Sequence, residues 1–145
     1  HGMRQILWGL AKKIIIADQC GRYVDFVFDN SEIHSGSALV MAMVFFGFQI
    51  YADFSGYSDI AIGSARLFGF ELKRNFAFPY FSRDIAEFWR RWHISLSSWL
   101  RDYLYISLGG NRHGTLNTYR NLFLTMFLGG LWHGANWTFF IFGNK

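Results

Sequence analysis

The sequence predicts an all-α fragment of a polytopic membrane protein, with transmembrane helices accompanied by interfacial or re-entrant ones. Three observations carry that reading. Two stretches, residues 35–52 and 121–144, contain no Asp, Glu, Lys or Arg, and about 20 apolar residues are enough to cross a bilayer as a helix. The 145 residues are 52% hydrophobic and 21% aromatic but only 17% charged, below the usual quarter for a soluble domain. Finally, charge is segregated. Residues 1–65 carry 4 basic and 6 acidic groups, whereas residues 66–120 carry 9 basic and 4 acidic ones. A basic block between two apolar runs is expected on the cytoplasmic side. The chain is expected to be an internal piece of a larger membrane protein, one partial domain over 1–145 with candidate membrane helices about 35–52 and 121–143.

Each element has its own signal. Residues 5–17, ILWGLAKKIIIAD, suit an interfacial or partly buried helix, the apolar run being broken by Lys12 and Lys13. The mixed stretch 18–34 is expected outside the membrane. Residues 35–52 read as a membrane helix with Gln49 facing protein. In DFSGYSD (53–59), Gly56 between serines predicts a turn or helix break, and an apolar helical pattern resumes at 60–70. Asp59 and Arg66, seven apart, are expected to pair across that turn. Pro79, the only proline, starts or bends an element. Ser82 with Asp84 marks a helix start. Residues 84–105 then read as one amphipathic helix, with Trp89, Trp92, Leu96, Trp99 and Tyr103 at three- and four-residue steps. Its polar face of Glu87, Arg90, Arg91 and Arg101 is suited to the interface or to a polar cavity. Leu108-Gly109-Gly110-Asn111 predicts a turn before the last apolar run.

Chemistry concentrates on few residues. His133 is an ionisable group within the charge-free run, where such a group is costly and usually functional. On a helix its face is shared by Gly129, Gly130, Asn136 and Trp137. The glycines leave room beside the imidazole, the amide can hold a ring nitrogen, and the indole can wall a pocket. The competing reading is packing, because Gly130 and Gly134 form a G-x-x-x-G pair. His93, in WRRWHISLSSW, is either an interfacial histidine between aromatic anchors or a functional one. A metal or haem pair of His93 and His133 has no evident third ligand. Asp53 and Asp59 fall on different faces of a continuous helix, which disfavours an acid/base pair. A nucleophile elbow, a P-loop, H-E-x-x-H and C-x-x-C are all absent. The single Cys20 excludes an internal disulfide framework. The basic residues are embedded among Trp, Phe and Leu, which argues against nucleic acid as a partner.

Taken together, QIYADFSGYSDIAIGSARLFGF (49–70), NFAFPYFSRDIAEFWRRWHISLSSWLRDYLYISLGGNRHG (75–114) and LGGLWHGANWTFFIFG (128–143) resemble the membrane-bound O-acyltransferase family. GLAKKIIIADQCGRYVDFVF (9–28) fits it less strictly. Within the family the stretches are most similar to bacterial members that O-acetylate alginate. The resemblance implies a multi-pass enzyme of the inner membrane, with many helices around a central tunnel. It implies acyl transfer from a thioester donor, acetyl-CoA leading, to hydroxyls of an exported polysaccharide, with no bound cofactor or metal. His133 aligns with the family's invariant histidine, and His93 with a second position that is His or Asn. His133 is then the expected base. Gly129 and Gly130 let donor and acceptor meet it, and His93 or Asn136 orients the acceptor or steadies the oxyanion. The implied partners are the lipid bilayer, a polysaccharide or a periplasmic acetyl-accepting protein, and an export and acetylation complex. The competing functions are a transporter component, a noncatalytic scaffold, D-alanyl transfer to teichoic acid and peptidoglycan O-acetylation.

Overall fold

The computed structural model describes residues 1–133, His133 by its backbone alone. The described residues are helical or irregular and contain no strand. Contacts group the chain into two units, His1–Phe76 and Ala77 onward.

In the first unit, α1 (Gly2–Ala11) passes through a π-helical stretch, Lys12–Ala17, into α2 (Asp18–Asp29), and α3 (Gly36–Leu67) follows after a short loop. Ser35 caps α3 by accepting the amide of Ala38 on its hydroxyl (3.4 Å). Gly69, at φ 82°, closes the other end, where the amides of Gly69 and Phe70 reach the carbonyls of Arg66 and Ala65. A glycine in the left-handed region is the usual helix stop. At 32 residues, α3 is about 48 Å long. It is long and apolar enough to cross a membrane, and only 11% of its most apolar window is buried within the structure.

Gly56 does not break α3, contrary to the sequence expectation. Its role is steric. A Cβ on Gly56 would lie 2.8 Å from the carbonyl oxygen of Gly9, and one on Gly9 would lie 2.5 Å from that of Gly56. Gly2 and Gly63 meet in the same way, at 2.7 Å each. The glycines recur seven residues apart on both helices and bring the two backbones together.

The expected pairing of Asp59 with Arg66 is also replaced. Asp59 pairs with Lys12 and accepts Gln5 Nε2 at 3.1 Å, while Arg66 donates to Gln5 Oε1. Gln5 thus stands between the two. Lys12 Nζ also donates to Ser55 Oγ (3.1 Å), and Lys13 pairs with Asp53. Residues 18–29, expected outside the membrane, form α2 alongside the charge-free half of α3. Gly21, Val24 and Val27 are its buried face, and Tyr23 meets Phe45 edge-on at 5.2 Å. Spacing of three puts these small and branched residues on one stripe. Phe76, buried, brings the end of the first unit back against Tyr51 and Phe54 of α3.

In the second unit, a 3₁₀ turn at Pro79–Phe81 precedes α4 (Ile85–Arg91), α5 (Ile94–Trp99), a second π-helical stretch (Leu100–Tyr105) and α6 (Thr115–His133). Asp84 caps α4, accepting the amide of Glu87 at 2.6 Å. The amphipathic stretch 84–105 is therefore not one helix. It breaks at Trp92–His93, where Trp92 is extended and His93 takes φ 43°, ψ 55°. Gly109 and Gly110, at φ 105° and 56°, make the expected turn. Asn121, fully buried on α6, donates to the Gly110 carbonyl at 2.9 Å and pins that turn. The second candidate span, 121–143, extends outside the described residues.

Candidate active site

His93 stands between α4 and α5 because the chain around it is held on both sides. Upstream, the Trp92 amide still bonds to the Phe88 carbonyl (2.9 Å). Trp92 stacks on Phe88, with ring centres 5.5 Å apart and planes 16° apart, and Tyr80 lies beside both rings. Downstream, the Ser97 amide bonds to the His93 carbonyl (2.9 Å), and the Ser97 hydroxyl donates to the Trp92 carbonyl (3.0 Å). The left-handed conformation costs a non-glycine residue about 1–2 kcal/mol, so it persists only where neighbours over-determine it. Nδ1 of His93 is buried.

A ring of ion pairs and hydrogen bonds stands upstream of that break. Glu87, 9% exposed, accepts the Arg83 amide (2.9 Å), Arg83 Nε (3.3 Å) and Arg91 NH2 (2.5 Å). The Arg83 amide above all, then the Arg83 and Arg91 guanidiniums, hold the Glu87 carboxyl below its ordinary value against the opposing effect of burial. Arg91 reaches on to the Phe78 carbonyl (3.5 Å), and its own carbonyl accepts the Ala77 amide (3.0 Å). Phe78 is the second non-glycine residue at positive φ, 52°. The sequence pattern assigns Glu87 and Arg91 to an interfacial or cavity-facing surface and does not reveal this brace. Its legible trace is Asp84 three residues before Glu87, the spacing of a capping box. Arg101, on that same expected face, pairs with its neighbour Asp102 instead (2.7 Å).

His133 is the last described residue of α6. A cavity of about 350 Å³ lies between α5, the second π-helical stretch and α6. Its wall includes Leu96, one turn after His93, and Trp132, immediately before His133, with Leu100, Leu104 and Gly129 between. The elements that carry the two histidines therefore share one apolar cavity. Gly129 faces it, and a Cβ there would touch Leu100 Cδ1 at 3.3 Å. Gly130 is absent from the cavity wall, and a Cβ there would meet nothing within 4 Å among the described residues. Asn136 and Trp137, with Gly134 of the G-x-x-x-G pair, lie outside the described residues. Among the described residues no group of three or more His, Cys, Asp or Glu side chains is placed to hold a metal ion.

Comparison with known proteins supplies the context. The sequence model of the membrane-bound O-acyltransferase family matches residues 3–144. The chain is 57% identical over 143 residues to the probable alginate O-acetylase AlgI of Azotobacter vinelandii, covering 99% of this chain and 28% of that protein. It is 50% identical over 135 residues to the peptidoglycan O-acetyltransferase of Helicobacter pylori, covering 93% of this chain and 26% of the relative. The teichoic acid D-alanyltransferase of Streptococcus thermophilus is 37% identical over 110 residues, with 70% and 26% covered. The chain thus spans little more than a quarter of the length of these relatives.

Proposed function

Because the chain belongs to the membrane-bound O-acyltransferase family, we propose that the protein carrying it transfers acetyl groups toward hydroxyls of an exported polysaccharide such as alginate. It does so as a multi-pass enzyme of the inner membrane. The donor is acetyl-CoA or another acyl thioester. The acceptor is the polymer itself or a periplasmic protein that relays the group, within an export and acetylation complex.

The chemistry needs one base and one dry, shaped site. A neutral imidazole at His133 removes the proton as the acceptor hydroxyl attacks the thioester carbonyl. The tetrahedral oxyanion then collapses. The carbon–sulfur bond breaks, and the leaving thiolate takes the proton back from the imidazolium. His93 orients the acceptor or donates to the oxyanion. Gly129, Gly130, Asn136 and Trp137 shape the approach.

The observation that carries this reading is the apolar cavity walled in common by α5 and α6, which carry His93 at the start of one and His133 on the other. Its test is His133→Ala in the full-length protein, with membrane abundance matched. Loss of O-acetyl groups from polymer that is still exported supports it. Unchanged acetylation returns His133 to helix packing and favours a scaffold or transporter. Peptidoglycan is a second acceptor, favoured by the Helicobacter pylori relative, and the same strain pair tests it by assaying muramic acid acetylation.

A further inference from the structure

His93 departs from the helical backbone at a point where its own sequence has no breaker. Neither Gly nor Pro occurs between Ile85 and Ser98. Something outside the local chain therefore sets the break. Three ties end on Arg91, two residues upstream. Its guanidinium bonds Glu87 Oε1 and the Phe78 carbonyl, and its backbone carbonyl accepts the Ala77 amide. Glu87 in turn is fixed by the Arg83 amide and side chain. The carboxylate thus joins Arg83 at the start of α4 to Arg91 at its end, and Arg91 carries the tie on to Phe78 and Ala77.

We propose that Glu87 is a positioning residue for His93: through Arg91 it fixes where α4 ends and so holds the left-handed turn that presents the imidazole. The proposal rests on the reading above, in which His93 serves acyl transfer. Glu87 does not itself meet the substrate. Its carboxylate is occupied by two arginines and an amide, which suits an orienting group rather than a proton carrier. Exposed ion pairs contribute little, so Arg83, with a side chain 90% exposed, matters less than Arg91 at 33%. If the brace slackens, α4 can run on through Trp92 with ordinary helical angles, and that moves the imidazole.

The test measures initial rates in membranes holding the full-length protein, normalised to folded enzyme, with an acetyl thioester donor. Glu87→Gln keeps size and shape but turns an amide toward Arg91. The expected result is a kcat lower by about 10- to 100-fold, the range that follows from misplacing a group by about 1 Å, with KM changed less than about twofold. In a His93→Ala background the same change is expected to cost nothing further, because the two act as one unit. Glu87→Asp, which keeps the charge, is expected to recover part of the loss. A fall in folded protein with kcat per molecule intact overturns the proposal and leaves the brace a folding device. So does a full additional loss in the His93→Ala background. If Glu87→Gln fails to accumulate, Arg91→Lys serves: it keeps one contact to Glu87, gives up the second to Phe78, and is judged by the same two criteria. Acetylation that survives His133→Ala refutes the acyl-transfer reading itself. Acetylation lost with His133→Ala and His93→Ala, but untouched by Glu87→Gln, refutes the positioning role alone.

Discussion

Adding one methyl group at Gly9 should separate α1 from α3. A Cβ there lies 2.5 Å from the Gly56 carbonyl oxygen, 2.8 Å from Ile60 Cγ1 and 2.9 Å from the Ile60 amide nitrogen. Ordinary contact begins near 3.4 Å and tight contact near 3.0 Å. The helices must therefore part by about 0.5–0.9 Å, and two of the three obstacles are backbone that cannot rotate aside. A gap of that size forfeits about a quarter to a half of the dispersion energy across the facing surfaces. Overpacking of this kind costs about 1–3 kcal/mol, and rigid backbone on the far side places Gly9 in the upper half. The better helix propensity of alanine returns about 1 kcal/mol. The expected net loss is about 1–2 kcal/mol. Thermal unfolding of the full-length protein in detergent measures it. Gly36→Ala is the internal control, since a Cβ there meets nothing within 4 Å among the described residues. Gly9→Ala as stable as Gly36→Ala would show that the two helices do not touch through their glycines.

Other outcomes follow from the same geometry. Asp59→Asn removes the negative charge that faces Lys12, 13% exposed, and is expected to destabilise by about 3 kcal/mol. Asp53→Asn, at a pair about half exposed, is expected to cost less than about 1 kcal/mol, and chemical melts of the two variants separate them. Gly130→Ala, whose Cβ would meet nothing within 4 Å among the described residues, is expected to keep full thermal stability yet lower acetyl transfer; unchanged rates would remove Gly130 from the site. Glu87 has a carboxyl held below the ordinary 4.5, so its contribution is complete above that value and is lost as pH falls through the lower folded value. The stability gap between wild type and Glu87→Gln should hold from neutral pH to about pH 5 and narrow below 4.5; a gap that persists at lower pH would show that the carboxylate's charge does not matter.

What the sequence disclosed depended on whether the cause was local. The charge-free stretch 35–52, the Pro79 element, the Ser82–Asp84 helix start and the Gly109–Gly110 turn are set by nearby residues, and they stand where local patterns place them. Gly56 was misread because a glycine that breaks a helix and a glycine that admits a neighbouring backbone look alike in one dimension. The partner that distinguishes them, Gly9, is 47 residues away. Asp59 had a tempting partner at Arg66, yet Lys12 took it, again from the far side of the helix pair. The break at His93 is the clearest case. The aromatic periodicity of 84–105 is genuine, and it predicts one helix because nothing local opposes it. The brace that opposes it runs back to Phe78 and Ala77.

The two halves of α3 also hold their neighbours by different means. Toward its start, α2 packs through aromatic edges and branched side chains, contacts that tolerate sliding because one apolar surface resembles the next. Toward its end, α1 is held by glycines seven residues apart and by charged groups with specific partners across the pair. Between helices in lipid, apolar burial gives little preference for one register, and close small-residue packing and polar contacts supply it. A slip of one turn would set Gly9 against Ala52 or Ile60 instead of Gly56, and would take Lys12 away from Asp59 and Ser55 together. The first penalty is steric and the second electrostatic, and they select the same register. The polar groups in this otherwise apolar segment are therefore explained by the helix pairing they enforce. By contrast, the left-handed backbone at His93 costs about 1–2 kcal/mol and persists because the contacts on either side of it hold it.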